Sequence, residues 1–142
     1  MSPPPTHATT VARWIPATGW IGVLISGPSG SGKSDLALRL IGRGWRLVAD
    51  DYSHVFASAG ALYATAPVQI AGRIEVRGLG IVSAPHLGLA RLVLAVDCVD
   101  QPPERLPGPD RIPVAGLDLP RLKVIARHAS AVEFITAATA EL

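Results

Sequence analysis

Cysteine, charge and long apolar runs are scarce in this chain of 142 residues, and each shortage excludes a class of protein. The one cysteine, Cys98, excludes an internal disulfide framework and a cysteine-rich zinc site, and we expect its thiol in the core. Only 17% of the residues are charged whereas 49% are hydrophobic, so the chain can bury a sizeable core and is not intrinsically disordered. The length is typical of one domain, and we expect residues 1–142 to form a single unit.

Membrane, secretory and nucleic-acid signals are absent as well. No run of 18 uninterrupted apolar residues occurs, so the sequence predicts no spanning helix and no membrane partner. The amino terminus lacks the charged and then apolar pattern of a secretory signal, and a cytoplasmic location is the default expectation. The isoelectric point of 9.1 comes from a net charge of only +2, so we expect no nucleic-acid partner.

The order of apolar runs and turn signals predicts an α/β domain. Short apolar runs predict strands at 11–15, 20–25, 46–49 and 92–96. A Gly/Ser-rich loop separates the second run from a helix-spaced apolar pattern that ends at 42–44. This strand–loop–helix–strand order is typical of the opening of a βαβ unit, for which we expect a parallel sheet covered by helices on both faces.

The other segments carry simpler signals. Residues 1–10 are a Pro/Thr-rich lead that we expect to be extended, and residues 52–82 favour a hairpin-rich insertion. Five prolines predict a loop at 101–113. Alanine is frequent in 120–142, and no glycine or proline follows the first of these residues, so we predict a final helix there.

One motif carries a specific chemical signal. It matches G-x-x-x-x-G-K-[ST] at every fixed position and consists of Gly27, Pro28, Ser29, Gly30, Ser31, Gly32, Lys33 and Ser34. Its glycines let the backbone curl so that N–H groups face phosphate oxygens, and the following helix adds the positive end of its dipole. The lysine of such a loop reaches the β- and γ-phosphates, and the serine hydroxyl binds Mg²⁺. The motif therefore predicts a site for phosphate groups and Mg²⁺.

Two acidic sites compete as partners of this loop, since phosphoryl transfer needs carboxylates for the metal and for the nucleophile. The pair Asp50 and Asp51 follows one predicted strand, and the single Asp97 follows another. Both positions face the ligand crevice if the strands are parallel. We prefer the pair, because adjacent carboxylates at the end of a sheet need a metal or basic groups to neutralise them. For Asp97 we expect a loop-capping role.

Segment 73–81 is a third candidate. Alternation places Arg73, Glu75 and Arg77 on one face of a strand. Gly78 and Gly80 follow, and such glycines allow a ligand to approach the backbone closely.

Three segments in this order and spacing resemble HPr kinase/phosphorylase. They are the loop 27–34, the run Leu47-Val48-Ala49-Asp50-Asp51, and the run Glu75-Val76-Arg77-Gly78-Leu79-Gly80-Ile81, which is similar to the family's own signature. The chain resembles only the C-terminal catalytic domain, as in the short form of some proteobacteria. The resemblance implies a P-loop-containing α/β fold akin to phosphoenolpyruvate carboxykinase.

The resemblance also implies a bifunctional enzyme. Such an enzyme uses ATP and Mg²⁺ to phosphorylate a serine of HPr, the phosphocarrier protein of the sugar phosphotransferase system. It removes that phosphate by phosphorolysis and releases pyrophosphate. The resemblance implies a homo-oligomer, often a hexamer. It also suggests other phosphotransferase-system proteins or two-component signalling proteins as further binding partners.

Roles are carried over from the family residue by residue. Lys33 matches the P-loop lysine, Asp51 the carboxylate that takes the serine proton, His7 an active-site histidine and Arg105 a catalytic arginine. The metal set implied by the resemblance is Ser34, Asp50 and Glu75.

The chain departs from the family near its end. Long-form members of the family carry a Pro-Gly-Arg-Asn segment before the last helix, and we take residues 119–124 as the corresponding region, which lacks it. Phosphorolysis is therefore left open, with Arg121 and Lys123 as candidate substitutes.

Two other functions stay open. A small-molecule P-loop kinase normally has an arginine-rich helical lid, and none is evident between Asp51 and Leu92. A nucleotide-binding regulatory or sensor module would keep the loop without turnover. The three functions differ in whether phosphate reaches HPr, a small molecule or neither.

Overall fold

The computed structural model describes residues 4–140 and residue 142, and its centre is a mixed sheet. In chain order the elements are β1 (Thr9–Ile15), β2 (Gly19–Ser26), α1 (Lys33–Ile41), β3 (Arg46–Ala49), β4 (His54–Ser58), β5 (Ala61–Thr65), β6 (Arg73–Val76), β7 (Gly80–Ser83), β8 (Ala90–Cys98), β9 (Arg111–Val114), β10 (Leu117–Val124) and α2 (Ala131–Thr139). Six strands lie in the order β3-β1-β2-β8-β10-β9, the β4–β5 hairpin joins β8 through β5, and β6 and β7 form a separate two-stranded sheet.

The sheet is mixed, so the predicted parallel sheet is wrong. Strand β1 lies between β2 and β3 and is antiparallel to both of them. The reason is local: only three residues, 16–18, connect β1 to β2, and a connection this short permits only antiparallel pairing. Strands β2, β8 and β10 are mutually parallel, and β3 runs in the same direction as β2. The segments after these four strands, and the one before β1, therefore meet at one edge of the sheet.

Both helices cover the same face of the sheet, contrary to the prediction of helices on both faces. Leu36 and Leu40 of α1 and Ile135 of α2 are buried in one cluster with Val23 and Val96 of the sheet. The opposite face packs against the β4–β5 hairpin and connecting loops, and none of the described residues on that face is helical. The physical reason is that the long crossovers, from β3 to β8 and from β8 to β10, are built from strands and loops.

The final helix is shorter than predicted. Residues 120–124 belong to β10, and the helix spans Ala131–Thr139. The segment Arg121-Leu122-Lys123-Val124 alternates polar and apolar side chains, and it pairs in parallel with residues 95–98 of β8. This two-residue period favours a strand over the helix that the alanine content suggested. Consequently the segment directly before the last helix is 125–130, not the region 119–124 that we aligned with the missing family segment.

Two other boundaries also change. The predicted loop at 101–113 ends in β9, the edge strand, where Pro113 lies opposite Asp118. An edge position tolerates proline because one side of the strand has no neighbour. At the amino terminus, Thr9 and Thr10 already belong to β1, and residues 1–3 of the predicted lead lie outside the described residues. The hairpins predicted in 52–82 are confirmed as β4–β5 and β6–β7.

No helix among the described residues is long and apolar enough to cross a membrane.

Candidate active site

The G-x-x-x-x-G-K-[ST] loop, hereafter the P-loop (27–34), joins the end of β2 to the start of α1. Gly32 caps the helix with a φ of +96°, and a Cβ there would lie 3.2 Å from the Cβ of Ala126. A Cβ on Gly27 would lie 2.8 Å from the Ser31 hydroxyl oxygen and 3.0 Å from the Cβ of Cys98. Gly27 also has a positive φ, +154°, so both positions need glycine for their backbone conformation as well as for space.

The Lys33 side chain is enclosed by the first residues of the P-loop. It is only 5% exposed, and its Nζ donates hydrogen bonds to the carbonyl oxygens of Gly27 at 2.8 Å and Pro28 at 3.3 Å. These partners are neutral backbone groups, and no carboxylate of the described residues is bonded to the ammonium. An anion such as a phosphate chain is the ligand that this arrangement favours.

The loop fits a phosphate ligand in a second respect. The Ser31 hydroxyl oxygen is buried and has no hydrogen-bond partner among the described residues. Buried hydroxyls are normally satisfied, and an unpaired one in a glycine-rich turn at a helix N-terminus is ready to bond a phosphate oxygen.

Cys98 lies beneath the P-loop at the end of β8, and the prediction of a core thiol is confirmed. Burial raises the pKa of its thiol to about 11. The thiolate is the reactive form, and at pH 8 about one thiol in a thousand is ionised at this pKa. We expect iodoacetamide to modify Cys98 at least about 100-fold more slowly in the native chain than in urea, measured by intact mass. Equal rates would contradict the packing of Cys98 under the loop.

Asp50 connects three parts of the site. The Ser34 hydroxyl donates to Asp50 Oδ1 at 2.6 Å, and the Glu75 backbone N–H donates to Asp50 Oδ2 at 3.1 Å. The carboxylate is 8% exposed and lies where β3 ends. It therefore ties the start of α1 to the β6–β7 hairpin.

The metal set implied by the resemblance is only partly brought together. The Ser34 hydroxyl and the Asp50 carboxylate are hard oxygen ligands of the kind that Mg²⁺ prefers. Glu75 contacts Asp50 through its backbone, and its side chain is exposed. Among the described residues no group of three or more His, Cys, Asp or Glu side chains is arranged to hold a metal. A Mg²⁺ ion here would depend on phosphate oxygens and water to complete its ligands, as Mg²⁺ sites in kinases commonly do.

Asp51 and His7 meet although they are 44 residues apart. His7 Nε2 lies 2.8 Å from Asp51 Oδ1, and the side chain of Asp51 is 51% exposed. The contact follows from topology, because the antiparallel β1 begins at the edge where β3 ends. Asp51 has a φ of +66°, and its N–H donates to the Thr9 hydroxyl at 3.0 Å. The Tyr52 ring lies beside the His7 ring, with centroids 5.1 Å apart.

A buried hydroxyl pair anchors the segment that carries His7. The Ser53 hydroxyl donates to the Ala8 carbonyl at 2.9 Å and lies 2.8 Å from the Thr10 hydroxyl oxygen. Since the single Ser53 hydrogen is used by Ala8, the Thr10 hydroxyl is the donor to Ser53. Backbone hydrogen bonds between Thr6 and Ser53 add a two-way bridge.

Replacing Ser53 by alanine is expected to lower the free energy of unfolding by about 1–3 kcal/mol, because it leaves the Ala8 carbonyl and the Thr10 hydroxyl unpaired in the core. Urea denaturation of both proteins measures the change. Ser58→Ala, in the exposed end of the neighbouring β4, is the control and is expected to change stability by less than about 0.5 kcal/mol. A Ser53→Ala variant as stable as the wild type would contradict the anchoring role.

Asp97, the competing acidic residue, is engaged elsewhere. Arg121 Nη1 lies 3.4 Å from Asp97 Oδ2, and Arg121 Nε donates to Asp110 Oδ2 at 2.8 Å. The hydrogen bond from Arg121 lowers the pKa of Asp110, and the same bond raises the pKa of the Arg121 guanidinium. Asp97 therefore belongs to an ion-pair network of β8 and β10, whereas Asp50 bonds the P-loop serine. The preference for the acidic pair agrees with this geometry.

Of the two remaining predicted site segments, the one with Arg105 stays apart from the P-loop contacts, and the one with Glu75 reaches them through Asp50. Arg105 is exposed in the loop between β8 and β9, and no hydrogen bond or ion pair joins it to another residue in the described part of the chain. The family-like segment, with Glu75, Val76, Arg77, Gly78, Leu79 and Gly80, forms the β6–β7 hairpin. Its predicted alternation is confirmed, because Ile74 is buried while Arg73, Glu75 and Arg77 are exposed.

Arg127 is a residue of this region that the sequence reasoning missed. Its Nη2 donates to the carbonyl oxygen of Gly30 at 3.0 Å, so the segment before α2 is bonded directly to the P-loop. Assigning 119–124 to a strand from its two-residue period would have placed Arg127 just before the last helix and drawn attention to it.

A glycine-rich loop between a central strand and a helix, with carboxylates at the end of another strand of the same sheet, defines a P-loop α/β domain. The model of the HPr Serine kinase C-terminal domain matches residues 15–92, which is more than half of the chain, and the chain belongs to that family. The predicted family and the predicted α/β class are thereby confirmed.

Individual relatives agree with this assignment. Over 67 residues, 47% of this chain, it is 52% identical to the HPr kinase/phosphorylase of Clostridium tetani and 56% identical to that of Clostridium kluyveri. The aligned part is 22% of each relative, so the chain matches only a small share of their length. The structure is similar to that of the Hpr(Ser) kinase/phosphatase from Coxiella burnetii, with a TM-score of 0.78 and 25% identity over 94% of this chain and 91% of that one.

Proposed function

We propose that this protein is an ATP- and Mg²⁺-dependent kinase that phosphorylates a serine of the phosphocarrier protein HPr. The observation that carries the proposal is the position of the Asp51 carboxylate. His7 Nε2 lies 2.8 Å from Asp51 Oδ1, and both residues lie at the edge of the sheet where the P-loop also lies. Family membership supports HPr as the protein that supplies the serine.

The P-loop side of the site holds the phosphates of ATP in this proposal. Lys33, the Ser31 hydroxyl and the amino end of α1 supply positive charge and hydrogen-bond donors. Ser34 and Asp50 would hold Mg²⁺, which neutralises phosphate charge when bound.

Asp51 acts on the serine hydroxyl. As the serine oxygen forms its bond to the γ-phosphorus, the bond from that phosphorus to the ADP oxygen breaks, and the hydroxyl proton passes to Asp51. An ionised carboxylate only accepts hydrogen bonds, so His7 carries a hydrogen on Nε2 and donates a hydrogen bond to Asp51. This bond fixes the carboxylate in position.

The same residues serve phosphorolysis, which we propose as the reverse activity. An oxygen of inorganic phosphate bonds to the phosphorus of phosphoserine, the bond from that phosphorus to the serine oxygen breaks, and Asp51 returns the proton to the serine. Pyrophosphate is the second product.

The open surroundings of Asp51 favour a protein substrate over a small molecule. Half of the Asp51 side chain is exposed, as is a large part of Tyr52 beside it. Between β3 and β8 the described chain contains hairpins and a three-residue 3₁₀ turn, Val68–Ile70, so it carries no helical lid. A small-molecule kinase needs such a cover to exclude water from the transferred phosphate.

A phosphotransfer assay tests the proposal. Purified protein, Mg²⁺-ATP and HPr are incubated, and intact masses are recorded before and after inorganic phosphate is added. We expect one added phosphoryl group on a serine of HPr, and its removal by phosphate with release of pyrophosphate. Bound ATP with no change in the mass of HPr would favour the sensor module and contradict the kinase. Transfer to a small molecule from a panel, with none to HPr, would contradict the substrate.

The family resemblance also leads us to propose a homo-oligomer, with a hexamer as the expected size. Light scattering on purified protein measures the assembly, and a monomer at assay concentrations would contradict it.

A further inference from the structure

A cavity of about 580 Å³ lies at the end of the sheet opposite the P-loop, where β1 ends and β3 begins. The end of β1, the turn between α1 and β3, and helix α2 form its walls. Strand β1 and helix α1 begin at the edge that carries Asp51 and the P-loop and lead away from it, so the cavity shares no lining residue with the site for phosphoryl transfer. Its volume lies in the range of sites that bind small organic molecules.

The greater part of the cavity wall is apolar. Trp14 of β1 and Trp45, directly before β3, provide aromatic surface, and Val132 and Ala137 of α2 provide aliphatic surface. Trp14 is 54% exposed, although its ring is held edge-on against the ring of Trp20 with centroids 5.7 Å apart. Covering an aromatic ring that is fixed in place and exposed to water releases free energy. The wall therefore favours a ligand with an apolar body.

The charged side chains in the wall determine which ligand charge fits. Arg13 and Arg43 are positive and Glu133 is negative, so two positive charges and one negative charge leave a net charge of +1. Arg43 Nη2 lies 3.0 Å from Glu133 Oε1, in an exposed ion pair of the kind that contributes little to stability. One carboxylate balances the remaining positive charge, whereas a phosphate group carries nearly two negative charges at neutral pH.

Arg13 is already held in one orientation. Its Nη1 donates to the Thr136 carbonyl oxygen at 3.0 Å and to the Thr139 hydroxyl oxygen at 3.1 Å, and its Cζ lies 5.6 Å from the centroid of the Trp45 ring. In the described part of the chain these bonds to α2 use only Nη1. The N–H groups of Nε and Nη2 form the other edge of the planar guanidinium, and such an edge can bind a carboxylate through two parallel hydrogen bonds.

We propose that this cavity binds a small apolar monocarboxylate, an organic acid with an aryl or branched aliphatic body. Its carboxylate bonds the guanidinium groups of Arg13 and Arg43, and its apolar body covers Trp14. The inference is independent of the proposed kinase activity, because none of the residues that carry it lies at the P-loop or beside Asp51.

Titration of the ¹⁵N-labelled protein with phenylacetate at pH 7, followed by the indole N–H signals in NMR spectra, tests the site. We expect saturable shifts of the Trp14 and Trp45 signals. Phenylacetamide has the same ring without the charge, and we expect it to bind at least about tenfold more weakly, because the bonds between charged groups are lost. Inorganic phosphate has charge without an apolar body, and we expect no saturation over the same concentrations.

Two arginine variants separate the cavity from the general charge of this surface. Arg43→Gln is expected to weaken the binding of phenylacetate about tenfold and to leave that of phenylacetamide unchanged. Arg46→Gln is the matched control, because Arg46 is an exposed arginine at the same end of the sheet and lies outside the cavity wall. We expect wild-type affinity for phenylacetate in that variant.

Each other outcome overturns the assignment. Absence of a saturable shift with phenylacetate would show that the cavity does not bind this class of ligand. Equal affinities for phenylacetate and phenylacetamide would exclude the arginines as carboxylate ligands, and an equal loss in Arg43→Gln and Arg46→Gln would attribute the effect to general surface charge. Tighter binding of phosphate than of phenylacetate would contradict the preference for a monocarboxylate. All of these outcomes leave the kinase proposal standing, since the phosphotransfer assay measures it separately.

Discussion

Replacing Asp51 by asparagine is expected to slow phosphoryl transfer to HPr by about 10²- to 10⁴-fold, the usual contribution of a general base. Asparagine keeps an oxygen for the His7 contact but cannot take the serine proton at neutral pH. The change also suits the backbone, because asparagine tolerates the left-handed conformation that Asp51 adopts at a φ of +66°. We therefore expect an unchanged fold and an ATP affinity within about threefold of the wild type.

Initial rates of phospho-HPr formation, with ATP binding measured in parallel, separate these effects. Asp118→Asn is the matched control: its carboxylate is exposed on β10, at the other side of the sheet from Asp51, and wild-type rates are expected. Wild-type transfer by Asp51→Asn would show that another group takes the proton. A loss of ATP affinity equal to the loss of rate would show that Asp51 binds nucleotide.

The P-loop and the acidic pair could be predicted because their signals are local. Eight consecutive residues specify the loop, and the turn conformation and helix N-terminus follow from those residues alone. The placement of Asp50 needs only an apolar strand before it, as Arg46–Ala49 provides. The alternation around Ile74 likewise required only neighbouring residues.

The pairing of His7 with Asp51 could not be derived from spacing. It depends on β1 lying between β2 and β3, which is a choice of sheet order among strands of similar apolar character. The family resemblance supplied His7 as a candidate, and topology supplies the reason for its position. The predicted start of the last helix is wrong for a different reason. Alanine content favours a helix from residue 120 onward, whereas the two-residue period of residues 121–124 favours the strand that forms.

Contacts made by the last part of the chain were the least predictable. Arg127 reaches the P-loop across 97 residues, and its partner is a backbone carbonyl, which has no sequence signature. Asp97 follows an apolar run, as a metal-binding carboxylate would, yet it lies within β8, where Arg121 from the adjacent strand engages it. In both cases strand order decides which chemically suitable side chains meet.

Replacing Lys33 by methionine is expected to abolish tight ATP binding while leaving the ligand-free protein as stable as the wild type or more stable. Lys33 is 5% exposed, and within the described part of the chain its ammonium bonds two backbone carbonyls and no carboxylate. Burial of an ammonium without a paired charge costs folding free energy, and methionine has a similar length without that cost. We expect a gain of about 0–3 kcal/mol in the free energy of unfolding. ATP affinity is expected to fall about 100-fold or more, because the charge-assisted bonds to phosphate are lost.

The opposite signs of these two effects make the prediction specific to a ligand-binding lysine. A lysine that served only to stabilise the loop would lower stability when replaced, since the Gly27 and Pro28 carbonyls would lose their donor. Urea denaturation without nucleotide and titration with Mg²⁺-ATP measure the two quantities on the same preparation. Lys123→Met is the matched control, because Lys123 is the other lysine of the chain and is exposed on β10. Loss of stability in Lys33→Met without loss of ATP affinity would show that the ammonium stabilises the fold. The expected result means that the buried charge of Lys33 serves ligand binding and not the stability of the loop.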